Sequence, residues 1–183
     1  MEPTKDKAIF LTPEQSERVK LWSGMNCKFS KIGVENGIRE LVVGLNIIGY
    51  NTFVSCEGHG QGRLYEKQNG SLYQEWEHPY VAFSFEPQYI QKRPDSIVLQ
   101  QLIDEFYTDR DVNPKYKIIL TDFAKYMTQL SAGGVNTVDV PRGKNCFYEG
   151  EVLAIYWIRA QKKEMCEFGS FLKRKYLEIG FHI

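Results

Sequence analysis

At 183 residues the chain has length for a substantial core, and an apolar share of 43% with 14% aromatics excludes disorder. Lys plus Arg and Asp plus Glu balance at 23 each, so no global field favours nucleic acid or a membrane surface. No apolar run reaches bilayer length, and the first thirty residues lack a signal-type apolar core, so a cytoplasmic protein is expected. Cys27, Cys56, Cys146 and Cys166 are then expected as reduced thiols. None forms a CxxC pair, which excludes a zinc ribbon but leaves a mixed Cys/His site open.

In chain order, Thr12-Pro13-Glu14-Gln15 has capping-box spacing and opens a helix expected to end near Gly24. Met25 to Val34 fits either a short strand or a loop. Ile38, Leu41, Val42, Leu45 and Ile48 form a clear helical stripe, with Asn36 as the expected cap and Gly49 as the expected left-handed stop. Tyr50 to Ser55 reads as a strand. Asn69-Gly70 signals a hairpin, and Pro79 to Phe85 reads as a central strand antiparallel to the first. Pro87 and Pro94 bracket a linker-like turn before a helix that contains Ile97, Val98, Leu102, Ile103 and Phe106. Tyr116 to Leu120 is expected as a strand, Phe123 to Leu130 as a helix, and Asn136 to Val140 as a strand. Gly150 to Ile179 is a long apolar-periodic helical segment that Gly169 is expected to kink or divide. The expected fold is a single-domain α+β (or α/β) protein with a mixed or antiparallel sheet and packed helices.

The densest chemistry lies at Ser55-Cys56-Glu57-Gly58-His59, where a strand should end. Cys56 is a candidate nucleophile, with His59 or the more distant His78 as its base. Cys56 and His59, joined by Glu57, His78 or His182, are also candidate ligands for a divalent metal such as zinc. Cys56, Glu57 and His59 form the expected inner set, with Ser55, Arg63 and His78 around a ligand. The glycines at 58, 60 and 62 with Arg63 suit an anion cradle, although no nucleotide-binding motif accompanies them. A packed Cys56 beside a turn histidine stands as the plain structural alternative.

The pattern L-N-x-x-G-Y-x-T-x-x-S-C-E-G-H, followed by P-Y-V-A-F, resembles one in small bacterial and phage proteins to which no reaction is assigned. Its T-x-x-S-C-x-G part is similar to the S-C-S-G-R segment of the tRNA wybutosine-synthesising protein 3 family of methyltransferases. Here Glu57 stands at that family's second Ser and His59 at its Arg, so methyl transfer and its cofactor are not carried over. The leading expectation is a small-ligand or metal pocket with hydrolytic or transfer chemistry. The rival is an interaction module that holds a protein or nucleic acid through the aromatics Tyr65, Tyr73 and Trp76 beside Arg63. A small molecule or a protein is thus the expected partner.

Overall fold

The computed structural model describes residues 11–59, 64–84, 96–124, 127–133, 137–140, 142 and 146–178. Arg63, His182, Pro87 and Pro94, all singled out in the sequence, lie outside the described residues. The fold is α+β: among the described residues, four helices pack with antiparallel sheets. No helix among the described residues is long and apolar enough to cross a membrane.

Helix α1 spans Pro13–Lys31 and starts with the expected capping box between Thr12 and Gln15. It runs through Gly24 instead of ending there, so Met25 to Lys31 is helical. Trp22 and Phe29, two turns apart, are both buried, and that anchoring outweighs the propensity lost at one glycine. Helix α2, Asn36–Ile47, buries the apolar stripe read from the sequence. Gly49 has φ 97° and turns the chain into strand β1, Asn51–Cys56.

Strands β2 (Leu64–Glu66) and β3 (Leu72–Glu75) form the Asn69-Gly70 hairpin, and β4 is Tyr80–Ser84. Helix α3, Ser96–Phe106, precedes β5 (Ile118–Ala124), β6 (Met127–Ala132) and β7 (Thr137–Val140). The expected helix over Phe123 to Leu130 is instead the end of β5 and most of β6. Leu130 pairs with Leu120 and with Val81, and is fully buried in mid-sheet. An apolar run this short carries no decisive period, so tertiary burial decides its state. The strands form two antiparallel sheets, ordered β1-β4-β6-β5 and β2-β3-β7, with β4 central as expected.

Helix α4, Cys146–Glu178, is one element of 33 residues, which Gly169 does not divide. The main core unites α1, α2, α3 and α4 with the four-stranded sheet through Trp22, Leu41, Phe83, Leu99, Leu130 and Phe168. A smaller cluster joins Trp76 of the β3–β4 connection to Ala154 and Ile158 of α4.

Gln74 of β3 is fully buried, and neither its amide oxygen nor its nitrogen has a hydrogen-bond partner among the described residues. An unmatched buried polar group costs about 1–3 kcal/mol. Gln74→Met keeps the volume and removes both polar atoms. The variant is expected to be about 1 kcal/mol more stable in urea denaturation. A loss of stability would mean that the amide is satisfied in solution.

Candidate metal centre

The site follows from two matched lengths. Helix α2 rises about 18 Å over its twelve residues, and β1 extends about 20 Å over its six. Gly49 reverses the chain between them, so the start of the helix returns beside the end of the strand. Glu35 flanks α2 at its N-terminal end, and Cys56 closes β1.

The turn after β1 depends on Gly58, whose φ is +86° and whose missing Cβ would sit 2.9 Å from Pro79 Cδ. With that bend, the His59 N–H donates to the Glu77 carbonyl at 2.9 Å. His59 Nε2 then lies 3.7 Å from Glu35 Oε1. A carboxylate oxygen of Glu35, Cys56 Sγ and a ring nitrogen of His59 all fall within 4.8 Å of one another. Among the described residues no other set of three or more His, Cys, Asp or Glu side chains is gathered in this way. Tetrahedral zinc with ligands at about 2.0–2.3 Å separates its donors by about 3.5 Å. The Glu35–His59 separation of 3.7 Å is close to that spacing, and all three donors lie within 4.8 Å.

Cys56 is 6% exposed. Burial pushes its thiol up to about 11, the Glu77 and Glu35 carboxylates add to the rise, and the Gly58 N–H opposes it. An unassisted thiolate is therefore scarce at neutral pH, against the needs of a nucleophile. A cation in the same place would supply the missing positive charge.

Glu57 is placed elsewhere. Its Oε2 accepts the Gly37 N–H at 3.0 Å, and its Oε1 meets Lys162 Nζ at 2.8 Å. Its own N–H donates to Glu35 Oε2 at 2.6 Å. The exchange caps α2 from across the chain, a task expected of Asn36, and ties down Glu35 at the same time. Burial raises the Glu57 carboxyl, but Lys162 and the Gly37 N–H outweigh it and hold the group below its usual range. His78 also stands outside the donor set. Its ring is 3.3 Å from the Gln129 amide and 6.2 Å from the Tyr80 ring, and burial pushes its imidazole down.

The three donors open onto a cleft of about 530 Å3. Its apolar wall includes Ile32, Phe53 and Val54, which are large and exposed. A bulge between Thr52 and Val54 interrupts the alternation of β1 where both Phe53 and Val54 turn outward. Ser55 lines the cleft, and Glu77 and Tyr80, which the sequence did not single out for the site, join it. In the hairpin, Tyr65 and Tyr73 stack on each other at 5.2 Å, and Trp76 is buried with its indole N–H on Gln161. Trp76 is thus not presented for stacking on a base.

No protein-family model, curated protein or solved structure matches the chain.

Proposed function

We propose that the protein binds a zinc-type divalent cation through Glu35, Cys56 and His59 and presents it to a small ligand in the adjoining cleft. The reading is carried by one observation: the convergence of a carboxylate, a thiol and an imidazole within 4.8 Å at the wall of an open cleft. Soft sulfur with nitrogen and oxygen is a donor mixture suited to zinc. Three protein ligands leave the fourth tetrahedral position for water or a ligand, the arrangement of catalytic zinc sites. A cation so held polarises a carbonyl or phosphoryl oxygen and lowers the pKa of bound water, which fits hydrolytic or group-transfer chemistry. The exposed Ile32, Phe53 and Val54 favour a ligand with an apolar part.

The test is the metal content of protein dialysed against zinc, beside the Cys56→Ala, His59→Ala double variant. Near-stoichiometric zinc that disappears in the variant supports the site. Equal binding in both proteins, or none in either, overturns it. Because the metal takes the thiolate and the thiol holds its proton up to about 11, loading must release that proton. Zinc affinity is accordingly expected to rise roughly tenfold per pH unit through the neutral range, measured against a competing chelator.

A further inference from the structure

A second cleft, of about 460 Å3, lies between α1, α2 and α4, formed by different residues from those of the donor set. The α1 residues that line it include Val19, Trp22, Ser23, Asn26 and Ser30, which recur at helical spacing along one face. A helix that packs on a core usually makes such a face apolar. Here Trp22 and Phe29 are the buried residues of the helix, and Ser23, Asn26 and Ser30 share the cleft-lining face with Val19 and Cys27.

Three cations converge on this face: Lys31 from the end of α1, Arg39 from α2 and Lys173 from α4. Among the described residues no carboxylate lines the cleft, although acids and bases balance in the whole chain. Lys173 is paired with Glu40. Arg39 spends Nε and Nη2 on the Val34 carbonyl, at 3.0 and 2.7 Å, which leaves its charge without a carboxylate. Lys31 is exposed and has no acidic partner among the described residues.

A separate observation concerns Trp22. It is 3% exposed and its indole N–H has no acceptor among the described residues. Buried donors are rarely left so. The ring is held in place by Tyr176, with centroids 6.1 Å apart, and by Lys173 Nζ, 5.9 Å from its centroid. A ligand oxyanion in the cleft would give Lys31 and Arg39 the counter-charge they lack among the described residues and would lie against the Trp22 ring, whose buried N–H would gain an acceptor only by a turn of the ring toward it. Val19, Trp22 and Leu177 would flank an apolar body.

We propose that this cleft is a second binding site, for a small organic oxyanion: a phosphate or carboxylate group on an apolar or aromatic body. The site does not depend on the metal centre, and its test needs no metal.

The probe is phenyl phosphate, with benzoate, inorganic phosphate and phenol as comparison arms, titrated into 15N-labelled protein. The Trp22 indole resonance is assigned by its loss in Trp22→Phe. Phenyl phosphate is expected to move it saturably, and a stronger response to benzoate would identify the anion as a carboxylate. Lys31→Gln should weaken binding roughly three- to fivefold, as loss of one partly screened charge implies, and Lys31→Glu should weaken it further. Lys163→Gln, elsewhere on α4, should leave binding unchanged and serves as the charge control. No saturable movement of the Trp22 resonance overturns the proposal. So does an equal response to phenol, which removes the role of charge, or to inorganic phosphate, which removes that of the apolar wall. A Lys31→Glu protein with intact spectrum and unchanged affinity overturns it as well.

Discussion

Glu35→Ala is expected to weaken zinc binding by more than about 100-fold, while Glu57→Gln leaves it within about threefold. The two residues sit at the same junction, and the sequence alone favours Glu57, which adjoins Cys56. In the structure the Glu35 carboxylate faces His59 Nε2 at 3.7 Å, whereas that of Glu57 is committed to the Gly37 N–H and Lys162. Removing Glu35 deletes one of three donors. Glu57→Gln keeps the amide oxygen as acceptor for Gly37 and loses only the charge opposite Lys162. Its cost should appear as stability, about 1 kcal/mol from a weakened cap and a half-exposed ion pair. That cost has a pH signature. The Glu57 carboxyl is held below its ordinary value of 4.5, so its contribution is complete above that value and is lost as pH falls through the lowered one. Wild type and Glu57→Gln should therefore converge in stability under acid conditions. Chelator competition at neutral pH and urea denaturation across acid pH separate the two roles. Equal zinc affinities for Glu35→Ala and wild type would remove Glu35 from the centre.

What could be read from the sequence follows from how locally each feature is determined. The α2 stripe, the capping box at Thr12, the Asn69-Gly70 turn and the β1–β4 pairing all appear as read. The first three depend on a period, a cap or a turn within a dozen residues, and the β1–β4 pairing follows from the connection that the hairpin makes between the two strands. Glu35 escaped because its importance arises from the equal lengths of α2 and β1, which bring the two far ends of a helix–turn–strand unit together. That signal was present: twelve helical residues and six extended ones cover nearly the same distance. The continuation of α1 past Gly24 and the strand at Met127–Ala132 escaped for another reason. Both are decided by burial against distant elements, Phe29 in the helical core and Leu130 between Val81 and Leu120. Local propensity there was weak or contrary. The cleft at α1 was not read from the sequence, because the helix was expected to end near Gly24 and the cations come from three separate helices.

Substitution of two helical glycines by alanine should move stability in opposite directions. Gly24 lies in α1, and a Cβ there would meet nothing within 4 Å. Gly24→Ala removes only the conformational cost of glycine in a helix, and a gain of up to about 1 kcal/mol is expected. Gly169 lies in α4 where that helix crosses α2. A Cβ built there would stand 2.6 Å from the Leu41 backbone nitrogen and 3.1 Å from the Glu40 carbonyl carbon. These are main-chain atoms of a helix, so no side chain can rotate to make room. The two helices must separate, and overpacking of this kind costs about 1–3 kcal/mol despite the better propensity of alanine. Separation also loosens the packing of Leu41 and Phe168, both fully buried. The effect extends to function because α2 carries Glu35 at its N-terminal end. A shift of that helix moves one donor relative to Cys56 and His59, which β1 and the Gly58 turn hold from the other side. Gly169→Ala is thus expected to lose stability and zinc affinity together, and Gly24→Ala to gain the first without changing the second. Urea denaturation of the metal-free proteins, followed by chelator competition on the folded ones, measures each in turn. If Gly169→Ala were as stable as Gly24→Ala, α2 and α4 could not approach as closely as the Gly169–Leu41 contact requires.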